Sequence, residues 1–265
     1  PFVCAFLLIR VHYSLSVSTS LSVSTMNAVG YSIIIPVYNE AARIAKNIDA
    51  IFSFFAPYGK TAEILFVNDG SQDDTGEVLE LFRERYRFRI IGYPKNLGKG
   101  HAVRQGVLHA KGAWVVFFDV DLAVPLEEFQ HFLSYKRPDD QILIGSRRLL
   151  HSKINKGESA FRTFLGYGFT VLSRFFVPGI RDFTCGFKCF SKEATKTVFS
   201  RARVNRWAFD AEILYIAKLH GIPIVQMPVA WAHDSDSRVR VFRDVCTSLA
   251  ELARILLYKL LGRYR

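Results

Sequence analysis

The sequence predicts an α/β protein built on a doubly wound, mostly parallel sheet. Three observations carry that expectation. Short apolar runs of strand length alternate with longer segments of helical period from residue 31 onward. Several runs, such as Ile33-Ile34-Ile35 and Val115-Val116-Phe117-Phe118, are apolar at consecutive positions, as in strands covered by helices on both faces. The runs end in acidic or turn residues, so polar groups gather at the carboxyl ends of the strands, where open α/β sheets bind ligands.

Taken in order, the elements are a strand over 31–37, a helix over 41–55, a strand over 63–67 and a helix over 74–86. A strand over 88–91, a helix over 100–110, a strand over 114–119, a helix over 126–135 and a strand over 141–145 follow. Residues 1–25 stand apart. Ser14-Leu15-Ser16-Val17-Ser18-Thr19 recurs almost unchanged at 20–25, and Met26 directly precedes the first strand, so Met26 is expected to be the native start. A truncated anchor or signal segment is the alternative, weakened by the lack of basic residues before the apolar run 2–9. The main domain is expected over 26–235, with a nucleotide-binding half at about 31–148 and an acceptor half at about 149–235. A basic amphipathic helix is expected over 236–265.

Composition narrows the partners. Lys and Arg total 35 against 24 acidic residues, a formal net charge of +11, which favours sugar nucleotides, phospholipid surfaces or nucleic acid. No helix-turn-helix, zinc-finger or RNA-recognition pattern is present, so no nucleic acid is expected. Cys4, Cys185, Cys189 and Cys246 are too few for a disulfide scaffold and lack the second pair of a zinc site, which points to a reducing compartment. No run reaches the roughly 18 to 20 apolar residues that span a bilayer.

Asp119 and Asp121 are the candidate metal ligands. At a strand end, residues i and i+2 point the same way, so two hard carboxylates can share one Mg2+ or Mn2+. Strand one ends in Pro36-Val37-Tyr38-Asn39-Glu40 instead of Gly-x-Gly-x-x-Gly, which argues against a nicotinamide or flavin enzyme. Strand two ends in Asn68-Asp69-Gly70-Ser71, with Asp73 or Asp74 as the cap of the next helix. In Asn96-Leu97-Gly98-Lys99-Gly100, glycines at a helix mouth stand beside Lys99 and Arg104, a combination that favours a diphosphate.

Together these motifs resemble the family 2 glycosyltransferases of GT-A fold, a Rossmann-like, doubly wound sheet. Gly145-Ser146-Arg147, the stretch 181–190 and Trp207-Ala208-Phe209-Asp210-Ala211-Glu212 resemble the dolichyl-phosphate β-glucosyltransferase branch, with dolichyl-phosphate mannose synthases as near relatives. The resemblance covers about 26–261. It implies that Pro36, Tyr38, Glu40 and Asp69 hold the nucleoside, that Asp119 and Asp121 bind the donor diphosphate through the metal, and that Arg147 and Arg162 meet phosphate groups. Lys188 joins the substrate-binding set. Asp182 and Asp210 are candidates to orient donor or acceptor, or else buried carboxylates paired with Arg181, Lys188 or Arg206. Ala123 stands where mannose synthases often carry Gln, which removes a possible third metal ligand and favours glucose.

The expected activity is inverting, metal-dependent transfer of a hexose, glucose from UDP-glucose, to a polyprenyl phosphate such as dolichyl phosphate, peripherally at the cytoplasmic face of a membrane. A GDP-mannose-dependent mannose synthase and a non-catalytic nucleotide- or lipid-binding module are the alternatives; the oligomeric state is left open. Two apolar helical segments bear on the membrane. The segment 159–177 reads equally as core or as a membrane face. The segment 241–261 groups Leu249, Leu252, Ile255, Leu256 and Leu260 beside basic residues, and either covers the sheet or lies among headgroups.

Overall fold

The computed structural model describes residues 29–136, 141–156, 160–232 and 241–265. The expectations for residues 1–25 and for 236–240 lie outside these described residues.

The first half runs β1 (Tyr31–Val37), α1 (Ala41–Phe55), β2 (Ala62–Asn68), α2 (Thr75–Arg83), β3 (Arg89–Gly92), α3 (Lys99–Leu108), β4 (Trp114–Phe117) and α4 (Glu128–Tyr135). The second half adds β5 (Ile142–Ser146), β6 (Lys153–Lys156), α5 (Ala160–Ser173), β7 (Lys188–Ser191), α6 (Lys192–Phe199), α7 (Phe209–Leu219), β8 (Ile224–Pro228), β9 (Ala230–Ala232) and α8 (Val241–Leu260). The main sheet has the order β3-β2-β1-β4-β7-β5-β8, and β6 pairs with β9 beside it. Strand β7 alone runs against the others, hydrogen-bonded on one side to β4 and on the other to β5.

The consecutive apolar runs are explained by a core on each face. Ile34 enters the cluster beneath α3, α6, α7 and α8, while Ile33 and Ile35 enter the cluster beneath α1 and α4, as the two-residue period of a strand requires. Helix α1 buries Ile44, Ile48, Ile51 and Phe55, one stripe at helical spacing.

Two differences from the sequence expectation matter for the site. Strand β4 stops at Phe117, so Asp119 and Asp121 lie in the turn beyond it and not on the strand. Their common direction therefore comes from the turn, not from strand alternation. Helix α2 begins at Thr75 because the Asp73 carboxylate accepts from the Thr75 amide (3.1 Å) and hydroxyl (2.6 Å).

Candidate active site

The chain passes from β1 to β2 on one side and from β3 to β4 on the other, so the order of winding reverses between β1 and β4. A crevice opens at the carboxyl ends of such a pair of strands. Pro36 fits there because β4 pairs with β1 only as far as Ile34, so the amide that proline lacks has no strand to serve. Tyr38, partly exposed, and Glu40 follow at the same edge. Both Glu40 oxygens accept from Arg43 Nη1, at 2.9 and 3.0 Å.

The turn after β4 is held from two sides and by one bond of its own. Asn47 Nδ2 of α1 donates to the Val120 carbonyl (2.8 Å), the Ala123 amide to Asp121 Oδ1 (3.0 Å), and the Ala232 amide of β9 to the Ala123 carbonyl (2.9 Å). These contacts keep Leu122 at a φ of 53°, a left-handed conformation that costs a side-chain-bearing residue about 1 to 3 kcal/mol. Gly186, just before β7, backs directly onto the Asp119 carboxylate; a Cβ at that position would overlap Asp119 Oδ2. The loop therefore needs glycine there for the close approach.

Lys99 and Asp210 join this turn. Lys99, the first residue of α3, places Nζ 2.5 Å from Asp119 Oδ1. Burial acts to lower the Lys99 pKa, but the charges of Asp119, Asp210 and Asp121 outweigh it and raise it. Burial raises the pKa of Asp121, and the facing charge of Asp119 raises it further against the Ala123 amide and the Lys99 and Arg43 charges. Asp210, in the first turn of α7, lies 2.7 Å from Nζ of Lys188. Lys188 also donates to the Cys185 carbonyl (2.6 Å). Burial raises the Asp210 pKa in spite of the opposing charges of Lys188 and Lys99. Three carboxylates and two ammonium groups thus gather along the edge from β4 to β7.

A second group forms where β5 ends. Arg147 donates from its amide (3.0 Å) and Nε (2.8 Å) to Asp182 Oδ2, and from Nη2 to Asp182 Oδ1 and Thr184 Oγ1 (both 2.9 Å). Its guanidinium also stacks over the Trp231 ring at 5.3 Å. Burial would raise the Asp182 pKa, but the charge and hydrogen bonds of Arg147, with the charge of Arg148, hold it at about 2. The Arg147–Asp182 pair joins residues 35 apart and lies outside the partners Arg181, Lys188 and Arg206 expected for Asp182 and Asp210, whereas Asp210 does pair with Lys188.

Asp69 and Arg104 are occupied within the chain. Asp69 accepts from Tyr93 Oη (2.8 Å), Asn96 Nδ2 (2.8 Å), the Leu97 amide (2.8 Å) and the Gly98 amide (2.9 Å). It thereby shapes the turn that delivers Lys99, with Gly98 at a φ of 109° against Asn205 and Arg206. Arg104 donates to the Ala202 carbonyl (2.7 Å) and to Asn205 Oδ1 (3.4 Å), away from the β4 turn. Arg162 is part of α5, but its side chain lies outside the described residues. Asp69→Ala should therefore lower stability by on the order of 3 kcal/mol, because buried amides lose a charged acceptor. Urea unfolding checks this: an unchanged midpoint would leave Asp69 as a ligand contact alone.

Comparison with known proteins shows the family and the fold. The family description "Glycosyl transferase family 2" matches residues 32–199. The dolichyl-phosphate beta-glucosyltransferase of Homo sapiens is 36% identical over 249 residues, covering 88% of this chain and 77% of that protein. The Saccharomyces cerevisiae protein of the same name is 34% identical over 254 residues, 88% and 76% of the two chains. Among solved structures, glucosyl-3-phosphoglycerate synthase from Mycobacterium tuberculosis with Mn2+, uridine diphosphate and glucosyl-3-phosphoglycerate superposes with a TM-score of 0.59 at 18% identity, over 88% of this chain and 79% of that one. A mannosyltransferase from Pyrobaculum calidifontis with GDP-Man and Mn2+ gives 0.55 at 18% identity, over 84% and 64%. The acidic turn at the β1–β4 crevice, the matched family description and relatives above 30% identity over most of both chains lead to one assignment: this chain is a glycosyltransferase and belongs to glycosyl transferase family 2.

Proposed function

We propose that this enzyme transfers glucose from UDP-glucose to a polyprenyl phosphate, dolichyl phosphate in the first instance, with inversion at the sugar and with a divalent metal. The observation that carries the reading is the Asp119–Asp121 turn in the switch-point crevice beside Lys99. The names of the curated relatives supply the donor sugar and the acceptor.

The donor set fits Mg2+ or Mn2+. Two hard carboxylates face one another closely enough for one to raise the pKa of the other, and a shared cation relieves that repulsion. No group of three acidic, His or Cys side chains that could hold a metal occurs among the described residues. Asp119 and Asp121 would hold the ion, leaving diphosphate oxygens and water to supply its remaining ligands. When bound, the ion acts as a Lewis acid on the leaving diphosphate. Lys99 adds positive charge on the same side. A lipid phosphate monoester with a second pKa of roughly 6 is already ionised at neutral pH, so the acceptor needs no strong general base. Arg147, held by Asp182 and lying over the Trp231 ring, presents a preoriented guanidinium at the β5 end for that phosphate.

The lipid substrate explains the outer faces of α5 and α8. Leu252 and Ile255 of α8 enter the core, while Leu249, Leu256, Leu257 and Leu260 stay exposed. On α5 Tyr167, Val171 and Leu172 are exposed, as is Phe175 just beyond it, and Lys259 of α8 lies over the Phe175 ring at 5.4 Å. This mixed apolar and basic surface is suited to a headgroup region. Among the described residues no helix is long and apolar enough to cross a membrane, so the proposed seat is peripheral. We place it on the cytoplasmic face, in line with the free thiols of Cys185, Cys189 and Cys246.

The test is a panel of radiolabelled sugar nucleotides with purified enzyme, Mn2+ or Mg2+ and a polyprenyl phosphate, followed by organic extraction. Label from UDP-glucose in the organic phase supports the reading. Label from GDP-mannose alone, or from no donor, overturns it. Calorimetry is expected to show UDP binding at least tenfold tighter than GDP, roughly 1.4 kcal/mol.

A further inference from the structure

The segment 203–208 touches both sides of the site, and four of its backbone amides are held by two buried carboxylates. Glu212 of α7 accepts from the Arg203 amide (3.0 and 2.9 Å) and the Val204 amide (2.8 Å). Glu251 of α8, only 4% exposed, accepts from the Arg206 amide (2.9 Å) at Oε1 and the Ala208 amide (3.0 Å) at Oε2. Ala208 is the residue from which α7 starts, and it brings no capping side chain of its own. The free amides at a helix start favour an anion, and here α8 supplies it. Tyr264, buried near the chain end, donates to Glu212 Oε1 (2.6 Å).

What this segment carries makes the clamp consequential. Asp210 lies two residues beyond Ala208, in the first turn of α7. On the other side the Asn205 carbonyl accepts from the His101 amide (2.9 Å), in the first turn of α3, two residues after Lys99. Phe209 packs against Gly100 so closely that a Cβ on Gly100 would overlap it, and its ring lies 6.0 Å from that of Phe117 at the end of β4. One short segment therefore sets the starts of both helices that deliver charged groups to the β4 turn.

We infer that Glu251 is a positioning residue for transfer: from α8, some forty residues downstream of the segment it holds, it fixes the 203–208 strap and through it the placement of Lys99 and Asp210 around Asp119. The amphipathic C-terminal helix is thus part of the catalytic frame as well as a surface element. This deepens the proposed function and rests on it for the choice of substrates.

The test uses the full chain with UDP-glucose and a polyprenyl phosphate in micelles. Glu251→Gln keeps the side-chain shape but replaces one acceptor with a donor facing an amide. It is expected to lower kcat at least tenfold per folded molecule, with the KM for UDP-glucose changed less than threefold. Tyr264→Phe, which loosens the same strap through Glu212, is the milder second variant and is expected to lower kcat about threefold. Ile255→Val, a packing change on the same helix, is the stability control and is expected to lower Tm without lowering kcat. Wild-type kcat in both strap variants, or an equal loss in Ile255→Val at matched Tm, overturns the inference. Amide hydrogen exchange separates this from a failure of the substrate assignment. With no transfer from UDP-glucose in wild type, faster exchange at His101, Arg206 and Ala208 in Glu251→Gln than in Ile255→Val still supports the strap, and equal exchange rejects it.

Discussion

Asp121→Asn should reduce transfer by on the order of 10³-fold while leaving the unfolding midpoint near that of the wild type. The asymmetry follows from the turn. Among the described residues the Asp121 carboxylate accepts from the Ala123 amide at Oδ1, and Asn retains an oxygen able to accept that bond. What Asn cannot retain is the negative charge. In wild type that charge is strained by burial and by Asp119, so folding without a cation gains little from it and can gain from its removal. The charge is costly to the apoprotein and useful only to the bound ion. Several kcal/mol of charge stabilisation at the leaving group corresponds to a rate loss of that order. Chelator should produce the same loss in wild type, reversed by Mn2+. Full activity in excess chelator, or an Asn variant that turns over normally, would sink the metal reading. An Asn variant whose midpoint collapses would move Asp121 to a structural role.

The second large effect is on stability. Asp182 is fully buried and receives three hydrogen bonds from Arg147, so Asp182→Ala leaves a mostly buried guanidinium short of its counter-charge. Removing one partner of such a pair costs about 3 to 5 kcal/mol, and Thr184 and Trp231 beside the guanidinium place the expectation at the lower end. The pH dependence carries a definite sign. The folded pKa, about 2, lies below the unfolded value of 3.8, so the stabilisation is complete above about pH 4 and is lost as pH falls through 2. A carboxyl so depressed contributes about 2 kcal/mol. Urea titrations of wild type and Asp182→Asn at pH 7, 4 and 2.5 should therefore show a stability gap that narrows only at the lowest pH. A gap independent of pH would mean that Asp182 is not held ionised by Arg147.

The elements were legible where the pattern is local. Strand β1 and helix α1 fall on their expected bounds, because a consecutive apolar run and a clean i, i+4 stripe each leave little choice of register. Ends governed by single contacts shifted: β4 stops two residues early because the turn is held by Asn47 and Ala232, far away in sequence. The acidic turn itself was visible as Asp-x-Asp at the end of an apolar run. Its geometry was not, since Gly186 and Lys99 reach Asp119 from a loop and a helix that no period connects to it. Asp69 illustrates a second limit. An acidic residue at a strand end reads the same whether it meets a ligand or caps a neighbouring turn, and only the partners at Tyr93, Asn96, Leu97 and Gly98 show that it shapes the turn.

Strand β7 gives the crevice a fixed gauge. Lys188 is level with Phe117 of β4 on one side and with Ile144 of β5 on the other, so the ends that carry Asp119 and Arg147 are separated by two interstrand spacings, about 10 Å. That interval is set by backbone ladders and not by side chains. Substituting residues along the rim can change what binds at either end, but bringing the ends closer or farther apart would mean breaking main-chain hydrogen bonds on both sides of β7. Selection for the length of what spans the gap is thus written into the sheet, while selection for its chemistry is left to the loops.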